Sequence, residues 1–274
     1  MKDSKVPTFS IITVCRNDLL NLKKTVASVQ EQEYADYEYL ICDGASTDGS
    51  VDYLATLTGV HIWSERDNGI FDAMNRGLAR CKGTYVHFLN AGDLFASPHV
   101  LSTAAVALST HPETDLLYGD VYCPNSERPY SLQPSRPTPF TLFRGTVCHQ
   151  AWFLRTDAYR AVGGFDLTLR YKGDYDVLCH LLLKRHICAR HESFCVAVYL
   201  GGGYSELNSE KSKTEFIKVQ RRYMSPLRVW WYGVLFATLL PIKRNTLFQR
   251  LKASLNARRA ARVWVSTKEG EIVL

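Results

Sequence analysis

The sequence predicts an α/β fold, a mostly parallel sheet flanked by helices, followed by a basic amphipathic helical tail. Three observations carry that expectation. Over the first ninety residues, short apolar runs rich in β-branched side chains alternate with segments of helical periodicity, the pattern of repeated strand–helix–strand units. The apolar runs lack polar alternation, as strands covered on both faces do. Positive charge is concentrated late: Lys218 to Arg262 holds eleven Lys and Arg and no Asp or Glu, leaving 22 basic against 27 acidic residues elsewhere.

Each element follows from its own pattern. "FSIITV" (9–14) reads as the first strand, and "DLLNLKKTVASVQEQ" places Leu19, Leu22, Val26 and Val29 at helical spacing. "YEYLICD" is a second strand ending at Asp43. "STDGSVDYLATL" begins with capping residues and continues as a helix. "VHIWSE" is a third strand, and "GIFDAMNRGLARC" puts Ile70, Met74 and Leu78 on one helical face. "TYVHFLN" is a fourth strand, completing a series that right-handed crossovers build into a parallel sheet. Beyond it, a helix is expected over Val100–Leu108 and a strand at "DLLYGDVY". A proline-rich surface loop covers "CPNSERPYSLQPSRPTPF". "DAYRAVGGFD" and "YDVLCHLLLKRH" read as helical, and "ICARHESFCVAVYL" as a terminal strand pair before "GGGYSE".

The bulk composition is that of a globular protein, with 274 residues, 46% hydrophobic and 22% charged. No stretch approaches the roughly 20 apolar residues of a membrane-spanning helix, and "MKDSKVPTFS" lacks the apolar run of a secretory signal. The eight cysteines form no Cys-x-x-Cys pair, so reduced, buried thiols in a cytoplasmic protein are expected, without a zinc site.

"HFLNAGDLF" (87–95) carries the first chemical signal, an apolar strand that stops at Asn90, Ala91, Gly92 and Asp93. Ligands of open parallel sheets bind outside the carboxyl ends of the strands. Three such ends carry acids or amides: Asp43, Glu65–Asn68 and Asn90–Asp93. Gly44, Gly49, Gly69 and Gly92 sit beside them and permit close approach to the backbone. The edge has neither a Gly-x-Gly-x-x-Gly nor a Gly-x-x-x-x-Gly-Lys-Ser/Thr loop. A phosphorylated ligand facing carboxylates needs a divalent metal between them, and Mn2+ or Mg2+ suits such oxygen ligands. Asp93 is therefore the candidate metal-bridging acid at a nucleoside diphosphate.

At this point the residues resemble a family. "SIITVCRND", "LICDGASTDGS", "SERDNGIFDAMNRGLARCKGTYVHFLNAGD", "HQAWFL", "YKGDYD" and "GGGYS" are similar to family 2 glycosyltransferases of the GT-A fold. That fold is a Rossmann-like, mostly parallel sheet flanked by helices. The closest likeness is to bacterial enzymes of the colanic-acid type that assemble exopolysaccharide. The resemblance spans about residues 8–205, so the expected domains are a catalytic unit at 7–205 and a tail at 206–274.

The resemblance implies inverting, metal-dependent transfer of a hexosyl-type sugar from a nucleotide-diphosphate donor. It places Asp43 at the nucleotide base, Asp67 at the nucleoside with Asn68 and Asn75 nearby, and Thr13, Asn17, Asn90 and Ala91 among the remaining nucleotide-sugar contacts. Asp93 matches the last acid of an Asp-x-Asp-type metal motif, with Ala91 and Gly92 standing where further acids are common. Inverting transfer is a single displacement that needs a base on the acceptor side. Asp174 of "GDYD" matches the family's catalytic base, with Asp176 its rival and Gly173 in place of the usual glutamate. His149, Gln150 and Asp176 are the candidate acceptor or substrate contacts. Arg66 and Arg155 suit either phosphate or solvent.

In the tail, "RVWWYGVLFATLLPIK" holds 14 uncharged residues, Val229–Ile242, about 21 Å as a helix and short of the roughly 30 Å hydrocarbon layer. Leu247, Leu251 and Leu255 then recur at i, i+4, i+8 beside Phe248 and basic residues. Paired tryptophans and a polybasic helix suit an anionic membrane surface, which predicts a peripheral location on the inner face of the cell membrane. A lipid-linked glycan acceptor would account for that location, and no nucleic-acid motif is present. Two other readings share these residues: a non-catalytic scaffold that binds nucleotide sugar or glycan, and a nucleotidyltransferase. The latter would carry a basic phosphate-gripping loop near the N-terminus, where "TVCRNDLL" supplies only Arg16.

Overall fold

The structure is a computed structural model that describes residues 6–125, 130, 131, 133–201 and 208–244. The amphipathic run at 247–255 and most of "GGGYSE" lie outside the described residues.

The first half forms as its periodicities predict. β1 (Phe9–Cys15) is buried along its whole length, between parallel neighbours β2 (Tyr37–Asp43) and β4 (Tyr85–Phe88), with β3 (His61–Ser64) parallel at the edge beyond β2. α1 (Leu19–Gln30) buries Leu22, Thr25, Val26 and Val29 at i, i+3, i+4, i+7. A short α2 (Ser50–Leu54) links β2 to β3, and α3 (Ile70–Arg80) buries Phe71, Met74 and Leu78.

The fourth strand ends at Phe88, and Asp93 begins a new strand, β5 (Asp93–Phe95). After it come α4 (Val100–Thr110) and β6 (Leu116–Tyr122). The proline-rich stretch contributes the two-residue β7 (Tyr130–Ser131) and α5 (Pro139–Arg144), which opens with Pro139 in its first turn and the Thr138 hydroxyl capping Thr141 N. Next are β8 (Trp152–Arg155), α6 (Thr156–Ala161), α7 (Gly173–His180) with a π turn to Arg185, and β9 (Ala189–Tyr199). β9 is one eleven-residue strand in place of the expected strand pair. α8 (Ser209–Tyr223) and α9 (Pro226–Arg244) follow.

The nine strands among the described residues join one sheet, with the path β3-β2-β1-β4-β8-β6-β9-β5 and β7 paired to β6. The second half is mixed: β8 is antiparallel to β4 and β6, β9 is parallel to β6, and β5 is antiparallel to β9. Five residue steps from Phe88 to Asp93 reach about 17 Å at full stretch, while the four strand spacings from β4 to β5 amount to about 19 Å. The sheet therefore curls, and its far edge returns to the carboxyl end of β4. That curl brings Asp93 back beside α1, where the Thr25 hydroxyl donates to Asp93 O at 2.8 Å and accepts from Gly92 N at 3.0 Å.

No helix among the described residues is long and apolar enough to cross a membrane. α8 lies beyond residue 205 yet packs on α7, with Phe216 stacked on Tyr175 at 4.4 Å between ring centroids. α9 lays Tyr232 against Phe140 and Phe143 of α5 and leaves Leu227, Trp230, Trp231 and Val234 exposed.

Candidate active site

A cleft of about 1030 Å³ opens where the strand ends converge. Its floor is the end of β1 and the 90–93 turn. One wall is the start of α3 with Asp67 and Asn68, and the other is the 146–150 segment and the loop leading to Asp174.

Asp93 is 5% exposed. Burial pushes its carboxyl up to about 7, against the opposing influence of the His149 charge and a hydrogen bond from Gln150. Among the described residues no group of three or more His, Cys, Asp and Glu is arranged to hold a metal unaided. One buried acid at the open end of a sheet fits a divalent ion whose remaining oxygens come from a diphosphate and water.

Asp174 sits in the first turn of α7, its side chain 18% exposed, and Oδ2 is 3.5 Å from His149 Nδ1. Burial opposes ionisation of both groups, but the hydrogen bond and charge between them prevail. Asp174 is held below the ordinary carboxylate range and His149 above the ordinary imidazole range. On its other side His149 Nε2 is 3.3 Å from Asn90 Nδ2, while Asn90 Oδ1 is buried without a hydrogen-bond partner. Turning the Asn90 amide over gives Oδ1 that partner and lets both ring nitrogens donate, as an imidazolium requires. Asn90, Asp93, His149, Gln150 and Asp174 thus meet in one cleft, Asp93 brought there by the curl of the sheet.

The other sequence-predicted residues are placed differently. Asp176 faces away from the cleft, paired with Arg222 of α8 at 3.0 Å. Asp67 stands at the wall, where its Oδ1 accepts from Gly69 N at 2.8 Å. Gly44 lets the Asp67 and Arg16 side chains close over the backbone: a Cβ there would lie 2.5 Å from Asp67 Oδ2 and 3.1 Å from Arg16 Cδ, and both would have to shift. Asn68 and Ala91 also line the cleft. Asp43 is 2% exposed and lies behind the wall, with Ser46 N, the Ser46 hydroxyl, the Ser64 hydroxyl and Cys15 Sγ all directed at its two oxygens. Contact with a base edge would require one of these donors to be displaced. The Thr13 hydroxyl is buried between Tyr39 OH and Leu89 O. Asn17 accepts from Thr47 N, and Asn75 brackets both main-chain groups of Phe165 at 2.8 Å. Arg155 binds Tyr85 OH and the carbonyls of Pro112 and Thr114, which makes it a brace of the sheet.

Sequence reasoning missed Gln133, Arg170, Lys172 and Tyr199, all in the cleft wall. Gln133 comes from the proline-rich stretch, is 5% exposed, and accepts from Cys148 N at 2.9 Å. Nothing in its local pattern marks it. Gly173 has a steric reason: a Cβ there would meet the Phe71 ring at 2.8 Å, and that ring is stacked on Phe165.

Comparison with known proteins bears on the family and the fold. The sequence model described as Glycosyl transferase family 2 matches residues 10–162. An uncharacterised glycosyltransferase of Mycobacterium tuberculosis is 35% identical over 189 residues, 66% of this chain and 71% of that protein. A PGL/p-HBAD biosynthesis glycosyltransferase of Mycobacterium bovis is 30% identical over 219 residues, 77% of this chain and 83% of that protein. Among solved structures, Staphylococcus aureus TarS 1-349 in complex with UDP-GlcNAc superposes with a TM-score of 0.65 at 17% identity, covering 79% of this chain and 65% of that one. Mycobacterium tuberculosis glucosyl-3-phosphoglycerate synthase, in complex with Mn2+, UDP and glucosyl-3-phosphoglycerate, gives 0.58 at 16% identity, covering 80% and 81%.

Proposed function

The chain belongs to glycosyl transferase family 2 and has the GT-A fold, and on that footing we propose that it transfers a sugar from a nucleoside diphosphate, with inversion, to a lipid-linked glycan acceptor in bacterial surface or exopolysaccharide assembly. One observation carries the reading: Asp93 in the floor and Asp174 in the wall open onto a single cleft, with His149 3.5 Å from Asp174.

In this reading Asp67 and Asn68 take the nucleoside, with Asp43 beneath them. Asp93 and the diphosphate oxygens hold Mn2+ or Mg2+, which when bound neutralises the charge of the departing diphosphate. Asp174, kept ionised by His149, accepts the proton of the acceptor hydroxyl as that oxygen attacks the anomeric carbon opposite the leaving group. Attack from that face inverts the centre. Leu167 and Leu169, with Arg170 and Lys172, line the cleft beside Asp174, a mixture suited to an acceptor sugar carried on a lipid phosphate. The exposed face of α9 and the basic residues after it would hold the protein against an anionic membrane on the cytoplasmic side.

Thermal stability with UDP, GDP, CMP and dTDP, each with Mn2+ or with EDTA, tests the reading. A ligand specific to the native state adds about 2.7 kcal/mol at a hundredfold excess over Kd. A shift with one diphosphate, lost with EDTA and in Asp93→Ala, is expected. Binding without turnover of the matching donor would favour a scaffold, and no shift with any nucleotide would remove the glycosyltransferase reading.

A further inference from the structure

We propose that α8 is a working part of this active site, with Glu215 and Arg222 acting as positioning residues that fix the segment carrying Asp174. The inference rests on Asp174 being the base. The two residues lie two turns apart on α8, about 10 Å along the helix axis. Each grips a different side of Asp174.

Glu215 receives three consecutive backbone N–H groups. Its Oε1 accepts from Arg170 N at 2.9 Å, and its Oε2 from Arg170 N, Tyr171 N and Lys172 N at 3.1, 2.8 and 3.1 Å. Successive N–H groups converging on one anion form a nest. One carboxylate thus ties three consecutive amides together and gives the loop its shape. Two residues later the chain enters the first turn of α7 at Asp174.

Arg222 holds the other side. Its Nη1 donates to Asp166 Oδ2 at 2.7 Å and to Asp176 Oδ1 at 3.0 Å. Tyr175, between Asp174 and Asp176, is stacked on Phe216 of α8, and its hydroxyl donates to Leu142 O at 2.7 Å. Residues 170–172, 175 and 176 are thus all fastened by other side chains, four of the five by Glu215 and Arg222. Asp174 is left directed at His149 and the cleft.

The Arg222 side chain is 33% exposed, so its pair with the buried Asp176 is screened on that side and adds modestly to global stability, but catalysis is sensitive to displacements of about 1 Å. The clamp should therefore be visible in kcat and not in the melting point. In the full-length protein, Glu215→Gln keeps the shape and removes the charge. Amide exchange of residues 170–172 should rise about tenfold or more, with the peptides of β1–β4 unchanged. Turnover, read as nucleoside diphosphate released from the matching sugar nucleotide, should fall about 10–100-fold in kcat, with donor KM and diphosphate Kd within about twofold of wild type. Glu215→Asp, which restores the charge, should recover part of the rate.

Unchanged exchange at 170–172 would overturn the clamp. Raised exchange with wild-type kcat would overturn its positioning role, as would a rate loss matched by equal losses in diphosphate affinity and melting point. If Glu215→Gln does not fold, Arg222→Gln is subject to the same outcomes, read at residues 174–176. A wild type that binds no nucleoside diphosphate would instead refute the glycosyltransferase reading, leaving amide exchange to judge the clamp alone.

Discussion

His149 Nδ1 stands 3.5 Å from Asp174 Oδ2, joining residues 25 positions apart in sequence into a half-buried acid–imidazole pair. Burial disfavours both charges, and each partner compensates the other, which raises the His149 pKa and lowers that of Asp174. Through His149 the pair stabilises the fold fully below about pH 6.5, and that contribution is lost as pH rises through the raised imidazole value. Through Asp174 it stabilises the fold above about pH 3.9, and that contribution is lost as pH falls through the lowered carboxyl value. The interaction is therefore worth most between roughly pH 4 and 6.5.

Removing the imidazole leaves only the Lys172 charge and the Tyr175 N–H to oppose the burial of Asp174. In His149→Ala the acid limb of the kcat/KM profile should move to higher pH, and the rate at neutral pH should fall about 10–100-fold. A pH–rate profile of wild type and variant checks this. An unmoved acid limb would mean that His149 does not set the ionisation of Asp174.

Asp93 has the opposite sign. Burial raises its folded-state pKa to about 7, so between roughly pH 4 and 7 the folded state binds more protons than the unfolded one. Its contribution to stability therefore declines as pH rises through that window and stays unfavourable above it. Asp93→Asn should stabilise the metal-free protein at pH 8, on the order of 1–2 kcal/mol, with the difference vanishing near pH 4. Mn2+ affinity in the presence of the nucleoside diphosphate should weaken about tenfold per pH unit below 7, because the ligand must lose its proton. Denaturant melts and calorimetry across pH 4–8 read both effects. A variant less stable than wild type at pH 8 would contradict the assignment of an uncompensated charge.

Asp43 and Asp67 should separate by their effects. Asp43 receives the Ser46 main chain and hydroxyl and the Ser64 hydroxyl inside the protein. Asp43→Ala should leave those donors unpaired, lowering stability by about 2–4 kcal/mol while weakening nucleotide binding. Asp67, at the cleft wall, should lose nucleotide affinity on mutation to Ala with little change in melting point. Parallel melting and UDP or GDP titrations distinguish the two. Equal destabilisation in both variants would remove Asp67 from the nucleoside site.

These contrasts mark what the sequence makes legible. β1 to β4, α1 and α3 declare themselves because a strand or helix repeats its own period within one segment. Asp93 stands out for a local reason, an acid at a strand end, whereas Asp174 stands out through the resemblance of "YKGDYD" to the family's motif. The pairing of Asp93 with Tyr199 across β5 and β9, the satisfaction of Asp43 by Ser64, and the reach of Glu215 to Arg170 have no period to reveal them. They arise from the curl of the sheet, the register of β2 on β3 and the return of α8, contacts between segments 21 to 106 residues apart. The expected strand pair at 187–200 became one strand because β9 finds two partners along its length, β6 on one side and β5 on the other.

Gly173 gives a steric prediction. Its Cα faces the Phe71 ring, which is pinned by stacking on Phe165 at 5.3 Å. Gly173→Ala should lower stability by about 1–3 kcal/mol and, by displacing the adjacent Asp174, reduce kcat more than it raises donor KM. The double variant Gly173→Ala/Phe71→Leu should recover part of the rate. No recovery would mean that the ring is not the obstacle.

The last prediction concerns α9, whose two faces differ. Tyr232 packs between Phe140 and Phe143, and Arg144 lies over the Phe236 ring at 5.4 Å, fastening one face to α5. The other presents Leu227, Trp230, Trp231 and Val234, with Trp230 62% and Trp231 56% exposed. Tryptophans at the edge of an apolar stripe beside basic residues partition into the headgroup region of anionic bilayers. The protein should therefore sediment with vesicles containing phosphatidylglycerol and release from them as salt is raised from about 0.1 to 1 M, which shortens the Debye length from about 10 to 3 Å. Trp230→Ser/Trp231→Ser should weaken that binding about tenfold or more and leave UDP or GDP binding intact, because the face that docks on α5 is untouched. Equal binding to purely zwitterionic vesicles would remove the electrostatic part of this argument. Binding unaffected by the double substitution would show that α9 is not the contact.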